Sequence, residues 1–323
     1  METKMRKVVV LSRATSGYQY EIDALKQFDD VEFIISPAVE EDDVIEAIRD
    51  AEVVLFTATK MNERVINSLE KCRLIIRYGI GYDNVDLEAA ARKGIYVCNA
   101  PKYGVIDVAE HALSLIFATA KMTVRMNERV ASGAWGSGGM GPFLRLAGKT
   151  VGFVGFGNIA RALCKRVRGL EMNALAYDPY VNDEVFEEMG AKRAELDEVL
   201  AKADFVSIHL PLNDSTRHMI GKEVFAKMKR KAILINTARG PIVNERELIE
   251  ALEAKQIAGV GLDVFEDEKS PVDPRLVNAP NAVLTPHVAW NTDVAVTAIH
   301  EEVGDNIVRY LKGERPESVV NKL

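Results

Sequence analysis

The sequence has few of the residues that build disulfide frameworks or metal clusters. Its 323 residues include only three cysteines, Cys72, Cys98 and Cys164, which lie far apart and show no paired spacing. The five histidines show no metal-ligand spacing either. We therefore expect reduced, mostly buried thiols in a cytoplasmic protein, with no disulfide and no metal site.

The sequence also lacks an excess of positive charge and a long hydrophobic run. Its formal net charge is -7, and a net-acidic surface does not attract nucleic acid or an anionic membrane without a local basic patch. The basic residues between 161 and 168 are interpreted as one solvated helix face. No apolar run is long enough to span a bilayer, and the charged residues 1–7 do not resemble a signal peptide. We expect neither a nucleic-acid nor a membrane partner.

What is present is an alternation of short β-branched runs and amphipathic stretches, which predicts an α/β fold with parallel sheets. The first series of predicted strands comprises residues 7–11, 31–35, 53–57, 74–77 and 95–98. A long helix is predicted from residue 105 to about 130, followed by a Gly-rich connector at 132–141. The second series comprises residues 150–154, 174–177, 205–209, 232–236, 259–264 and 283–285.

The six strands of the second series match a complete doubly wound dinucleotide-binding domain. After them the chain has room for one closing helix, at about 292–311, and a short tail. We therefore predict two Rossmann-like domains. The cofactor domain, residues 102–289, is inserted into a discontinuous substrate domain, residues 1–101 plus 290–323, with the active site in the cleft between them.

A glycine-rich turn follows the first strand of the second series. Residues 155–160 fit the pattern G-x-G-x-x-[GA], and the turn lies between an apolar strand and a helix, which is the context that the pattern requires. Gly155 allows the tight turn, and Gly157 lets a pyrophosphate approach the backbone. Asn158 and Ile159 open the helix, whose N-terminus favours negative charge. The turn predicts a dinucleotide site.

Asp178 ends the next predicted strand, at about the separation expected of the acidic residue that binds an adenosine ribose hydroxyl. A carboxylate at this position repels a 2′-phosphate, and no arginine follows it. The sequence therefore favours NAD over NADP.

Three polar residues follow later strands of the same domain, at the sheet edge where ligands bind in open α/β folds. Arg239 follows strand 232–236, Glu268 follows strand 259–264 and His287 follows strand 283–285. Each has an ordinary alternative interpretation: a solvated arginine in a turn, a surface glutamate in an acidic run, a hydrogen-bonded structural histidine. Their common order and setting make them candidates for catalysis.

Several ordered segments, spread along nearly the whole chain, resemble the D-isomer-specific 2-hydroxyacid dehydrogenase family. They lie at residues 77–86 (RYGIGYDNVD), 155–160, 209–221, 236–240 (NTARG), 261–268 and 285–290 (TPHVAW). The resemblance implies an NAD-dependent enzyme that interconverts a 2-keto acid and its D-2-hydroxy acid. It also implies a homodimer.

The resemblance further implies roles for individual residues. Arg239 would bind the substrate carboxylate and polarise the keto oxygen, and His287 would be the general acid or base. Glu268 would orient His287 and stabilise its protonated form. Further cofactor contacts would come from His209, Thr237, Ala238 and Asp263, besides Arg239 and His287. Substrate contacts would come from Tyr78, Gly79, Ile80, Gly81 and Trp290.

Three alternatives stay open at this point, one of which is formate oxidation on the same fold. Many family members have a proline directly after the catalytic glutamate, whereas Lys269 and Ser270 intervene here, so Glu266 competes with Glu268. The segments at 77–86 and 287–290 also resemble C-terminal binding protein, an NAD-responsive transcriptional corepressor of the same family. The identity of the 2-keto acid does not follow from the sequence.

Overall fold

The computed structural model describes residues 5–140 and 142–323, so residues 1–4 and Gly141 of the predicted connector lie outside the description. The chain divides into two compact units. One contains the residues up to Gly104 together with Asn291–Leu323, and the other is Val105–Trp290.

The first unit begins with five strands that alternate with four helices. In chain order these are β1 (Arg6–Leu11), α1 (Gln19–Leu25), β2 (Val31–Ser36), α2 (Glu41–Ile48), β3 (Val53–Phe56), α3 (Glu63–Ser68), β4 (Leu74–Arg77), α4 (Leu87–Arg92) and β5 (Tyr96–Cys98).

The second unit begins with two helices and continues with alternating strands and helices. Its elements are α5 (Val105–Lys121), α6 (Thr123–Ala131), β6 (Thr150–Val154), α7 (Asn158–Gly169), β7 (Asn173–Tyr177), α8 (Asp183–Met189), β8 (Lys192–Arg193), α9 (Leu196–Lys202), β9 (Phe205–Ile208), α10 (Lys222–Lys227), β10 (Ile233–Asn236), a 3-10 turn (Gly240–Ile242), α11 (Glu245–Glu253), β11 (Gly259–Leu262), α12 (Pro274–Val277) and β12 (Ala282–Leu284). The chain then returns to the first unit as α13 (Asp293–Leu311).

Each unit is built on a parallel sheet. The first has the strand order β2-β1-β3-β4-β5, and the second has the order β12-β11-β10-β9-β6-β7-β8. Central strands such as β3 are buried along their whole length, as expected where both faces of a parallel sheet are covered. The predicted α/β fold with two parallel-sheet domains is confirmed. In the second sheet the strand order reverses at β6, which marks the carboxyl end of β6 as the expected ligand-binding edge.

The predicted helix from residue 105 to about 130 is wrong as a single element. It is interrupted at Met122, which has a left-handed φ of 52°. The returning chain supplies the reason, because the Leu144 amide donates to the Ala120 carbonyl and Lys121 Nζ donates to the Leu144 carbonyl. The Ala120 carbonyl, at the end of α5, is thus bound by a distant segment of the chain instead of by a further helical turn.

The closing helix begins and ends close to its predicted limits. Thr292 caps it, since its hydroxyl accepts a hydrogen bond from the Ala295 amide at 3.1 Å. The tail that follows is bound to the first sheet through Asn321, whose side chain accepts from the Val97 amide at 2.9 Å and donates to the Ile95 carbonyl at 2.8 Å. No helix in the described ranges combines the length and apolarity needed to cross a bilayer.

Candidate active site

The turn between β6 and α7 has the features of an anion site. Gly155 has a φ of 90°, and a Cβ there would lie 2.6 Å from the His209 carbonyl oxygen, so only glycine fits. A Cβ on Gly157 would instead meet no protein atom within 4 Å. The amides of Gly157, Asn158 and Ile159 donate to no acceptor within residues 5–140 and 142–323. They are therefore available at the positive end of a 12-residue helix.

Asp178 lies directly beside this turn, after β7. One carboxylate oxygen accepts a hydrogen bond from the Phe156 amide at 2.8 Å, and the other accepts from the Tyr180 amide at 2.9 Å. The hydrogen bond from the Phe156 amide thus fixes Asp178 beside the turn. This is the placement that a ribose-binding carboxylate requires next to a pyrophosphate site.

Two further predicted cofactor residues follow neighbouring strands. His209 follows β9, and its Nε2 lies 2.8 Å from the Ser207 hydroxyl. Burial lowers the pKa of His209 to about 4, so its ring is neutral at neutral pH. The Thr237 hydroxyl, after β10, is buried and has no hydrogen-bond partner in the described part of the chain. Such an orphaned group is rare and points to a missing partner. The glycine turn, Asp178 and Thr237 together fit a dinucleotide.

The loop that carries Arg239 is fixed by the side chain of Asn236. This side chain accepts from the Ala238 amide and donates to the Arg239 carbonyl, both at 3.0 Å. The next residue, Gly240, brings the loop against the segment after β11, because a Cβ on Gly240 would lie 1.8 Å from the Phe265 carbonyl oxygen. This close approach of two backbones, which the sequence analysis did not predict, brings the loop that carries Arg239 next to the segment that carries Glu268.

Glu268 and His287 form a hydrogen-bonded pair. His287 Nδ1 lies 2.8 Å from Glu268 Oε2, and both side chains are more than a third exposed. Burial alone would raise the pKa of Glu268, but the hydrogen bond and charge of His287, with a smaller contribution from Arg239, lower it overall. The competing residue, Glu266, contacts His218 instead, at 2.6 Å. Glu268 is therefore the glutamate that reaches His287.

Asp263 holds the turn that presents His287. Its carboxylate is fully buried; it accepts from the Thr285 hydroxyl at 2.5 Å and from the amides of Val288 at 3.0 Å and Ala289 at 2.8 Å. Its carbonyl accepts from the His287 amide at 2.7 Å, and His287 has a left-handed φ of 55°. Asp263 thus stabilises a backbone conformation that a histidine rarely adopts. The sequence analysis missed this role; the predicted contact of Asp263 with the cofactor stays a prediction.

His111, on α5, contacts the turn that presents His287. Its Nε2 lies 2.8 Å from the Thr285 hydroxyl and 3.4 Å from Asp263. It therefore supports the same turn from the helix side.

The predicted substrate segment of the first unit follows β4. The amides of Gly79, Ile80 and Gly81 donate to no acceptor in the ranges that the structure covers. Tyr78 differs, because its amide donates to the Phe56 carbonyl at 2.8 Å and its hydroxyl donates to Glu21. Neither of these two groups is free to donate to a substrate, and the predicted contact of Tyr78 with the substrate stays a prediction. Trp290, in the second unit, is half-buried after the His287 turn, and its predicted role is untested.

No group of three or more His, Cys, Asp or Glu side chains in the described ranges is arranged to bind a metal ion. In the second unit, Arg239, Glu268, His287 and the glycine turn all follow the carboxyl ends of strands of the same parallel sheet. This is the arrangement of a cofactor site with an adjacent acid–base pair.

Residues 113–289 match the family described as "D-isomer specific 2-hydroxyacid dehydrogenase, NAD binding domain". The chain belongs to this family. Both the predicted NAD cofactor and the prediction of an NAD-dependent D-2-hydroxyacid dehydrogenase are thereby confirmed.

Individual relatives agree with the family. A D-3-phosphoglycerate dehydrogenase of Methanocaldococcus jannaschii is 39% identical over 93% of this chain, which spans 57% of that protein's length. A glyoxylate reductase of Korarchaeum cryptofilum is 36% identical over 86% of this chain and 85% of its own length. The crystal structure of a glyoxylate reductase from Paecilomyes thermophila is 28% identical, covers 98% of each chain and has a TM-score of 0.91.

Proposed function

We propose that this protein interconverts a small 2-keto acid and its D-2-hydroxy acid, with His287 as general acid and base, Arg239 as the substrate-binding cation and Glu268 as the partner of His287. The observation that carries the proposal is the His287–Glu268 hydrogen bond of 2.8 Å. It uses Nδ1 of the ring, and Nε2 has no partner in the described part of the chain. An acid–base catalyst held in this way keeps one ring nitrogen for the substrate.

The β6–α7 turn, Asp178 and Thr237 would hold NADH, which in the direction of reduction would supply the hydride for C2 of the keto acid. The remaining roles belong to the chain's own residues. Protonated His287 donates its Nε2 proton to the keto oxygen, and the Glu268 carboxylate stabilises the imidazolium until that transfer. The Arg239 guanidinium, which keeps its charge throughout, polarises the keto group and binds the carboxylate. In the first unit, the amides of residues 79–81 are the donors that we propose for the substrate carboxylate. In oxidation, His287 accepts the proton.

Glyoxylate is the first substrate that we propose. The relative from Korarchaeum cryptofilum, which matches this chain over 85% of its own length, is named glyoxylate reductase. The relative named D-3-phosphoglycerate dehydrogenase adds phosphohydroxypyruvate, and hydroxypyruvate and pyruvate complete a panel of small keto acids.

The test follows NADH absorbance with the purified protein across this panel, beside the His287→Ala variant. We expect substrate-selective oxidation of NADH that falls by about a hundredfold or more in the variant, because general acid catalysis contributes a factor of this order. If phosphohydroxypyruvate is the best substrate, it replaces glyoxylate as the proposed substrate, and the proposed reaction stays the same.

The corepressor alternative, the homodimer and the cytoplasmic location are separate predictions from the proposed activity. NADH binding without turnover of any keto acid would overturn the proposed activity and favour the NAD-responsive binding protein. The homodimer and the cytoplasmic location stay predictions; sedimentation equilibrium of the purified chain tests the first.

A further inference from the structure

A carboxylate is buried in the first unit beneath the segment that follows β4. Glu21, on α1, has no exposed surface. Its Oε1 accepts a hydrogen bond from the Tyr78 hydroxyl at 2.7 Å and lies 2.7 Å from Nδ1 of His300, on α13. Its Oε2 is buried and has no partner within the described residues. The proposed mechanism uses none of these three side chains.

Burying a carboxylate costs desolvation free energy, which hydrogen-bonding or charged partners must offset. An apolar side chain would pack between α1 and α13 without that cost. Tyr78 and His300 converge on one oxygen, so the hydroxyl and the imidazole both act as donors to it. The cluster therefore fixes the position of the Tyr78 hydroxyl rather than only filling the core.

The ring of Tyr78 is held as well as its hydroxyl. Tyr78 is only 6% exposed, and its ring centroid lies 5.4 Å from that of His300 and 6.1 Å from that of Tyr18. Burial and the neighbouring Glu21 raise the pKa of Tyr78 well above its ordinary value, so its hydroxyl remains a donor. Both the ring and the hydroxyl of Tyr78 are therefore in contact with neighbouring side chains of the first unit.

Tyr78 directly precedes the three residues whose amides have no acceptor. The backbone around them is bound at several points: the Tyr78 amide donates to Phe56, the Ala100 amide donates to the Gly79 carbonyl at 3.0 Å, and the Asn99 side chain donates to the Ile80 carbonyl at 2.6 Å. Each of these bonds uses the backbone of the segment. The Tyr78–Glu21 bond anchors the segment through a side chain, just before Gly79, where φ is 140° and the backbone is conformationally permissive.

We propose that Glu21 and His300 are positioning residues that act through the Tyr78 hydroxyl to hold the amides of residues 79–81 in the arrangement that binds the substrate carboxylate. This inference rests on the proposed function, since it assigns those amides to the substrate. Glu21 and His300 touch neither substrate nor cofactor in this account. They set the affinity for the keto acid, not the rate of proton or hydride transfer.

The decisive variant is Tyr78→Phe, which removes one oxygen atom and keeps the ring. Its matched control is Tyr20→Phe, because the Tyr20 hydroxyl also bridges α1 to α13, through Asp305 at 3.1 Å, but does not contact Glu21 Oε1. Loss of one such charge-assisted bond predicts a KM for the keto acid raised about five- to thirtyfold. We expect kcat within twofold of the unmodified protein, an unchanged Kd for NADH, and no change in Tyr20→Phe.

The second measurement is the coupling between the substitutions at Glu21 and Tyr78. Glu21→Gln keeps an acceptor oxygen but removes its charge, so it weakens the bond to Tyr78 and raises KM by itself. In a Tyr78→Phe background it adds little, because both substitutions act on the same bond. Independent, multiplying effects on KM would overturn the proposal. So would a KM unchanged in Tyr78→Phe, or a loss of kcat and NADH affinity as large as the loss in KM.

Amide hydrogen exchange of the peptide covering residues 74–86, measured on the unliganded protein, needs no turnover. We expect faster exchange in Tyr78→Phe than in Tyr20→Phe. Equal exchange in the two variants would overturn the positioning role even if the unmodified protein reduces keto acids well. If the unmodified protein reduces no keto acid, the proposed function fails, while the exchange comparison still decides whether Tyr78 holds the segment.

Discussion

Two glutamates two residues apart, Glu268 and Glu266, have different histidine partners, and this difference gives a sharp test of the acid–base pair. Glu268→Gln removes the negative charge beside His287 while it keeps the size of the side chain. We expect kcat/KM for keto-acid reduction to fall about ten- to a hundredfold at neutral pH, because the imidazolium loses its stabilising neighbour. The measurement is steady-state NADH oxidation between pH 5 and 9.

The sign of the pH effect follows from the same pair. The pKa of Glu268 lies below its ordinary value of 4.5, so its carboxylate is ionised over this whole range and favours the protonated histidine that reduction needs. In Glu268→Gln, which lacks that charge, we expect the rate of reduction to begin falling at a lower pH than in the unmodified protein. Glu266→Gln, beside His218, is the control and leaves the profile unchanged. A profile that moves in the control and not in Glu268→Gln would reverse the assignment of the two glutamates.

The β6–α7 turn contains two glycines that the structure distinguishes. Gly157→Ala adds a methyl group where no protein atom lies within 4 Å, at a φ of -73° that alanine adopts readily. We expect an unchanged melting temperature and a Kd for NADH raised at least about tenfold, because the methyl group keeps the pyrophosphate from the backbone. Isothermal titration and thermal unfolding measure the two effects separately.

Gly155→Ala is the comparison, since its Cβ would meet the His209 carbonyl at 2.6 Å and its φ is 90°. This variant loses stability and NADH affinity together, with at least about 1–2 kcal/mol from the left-handed backbone alone. Undiminished NADH binding in Gly157→Ala would contradict the placement of the cofactor at this turn.

Local patterns predicted most strands, because apolar β-branched runs between turns are specific over four to six residues. They missed β8, which has two residues, Lys192–Arg193, both exposed. They also missed the break at Met122, whose cause is the return of the chain at Leu144. The pairs Glu21–His300 and Glu266–His218 join residues 279 and 48 positions apart. No periodicity or short motif reports such a distance, so contacts of this kind required the structure.

The stability of the second unit is expected to depend on pH through His209. Burial lowers the pKa of this residue from 6.5 to about 4, so between these values the unfolded chain binds a proton that the folded chain does not. The free energy of unfolding therefore falls as pH decreases from 6.5 to 4, by about 3 kcal/mol in total from this residue. Urea unfolding at several pH values measures the slope, and His209→Asn reduces it. An identical slope in the variant would show that other groups cause the acid sensitivity.

The two units differ in how the chain builds them: Val105–Trp290 is one continuous segment, whereas the first unit needs both ends of the sequence. The continuous segment contains a seven-stranded sheet with a large apolar core on each side and all of the dinucleotide residues predicted from the sequence. A fragment of residues 105–290 is therefore expected to fold alone and to bind NADH. We expect it to reduce no keto acid, because the amides that we propose for the substrate carboxylate, at residues 79–81, belong to the first unit. Circular dichroism and NADH fluorescence test folding and binding, with the same fragment carrying Gly157→Ala as the control that folds without binding. Turnover by the isolated fragment would show that the first unit contributes nothing to the reaction, and a fragment that does not fold would show that the second unit depends on the first for its stability.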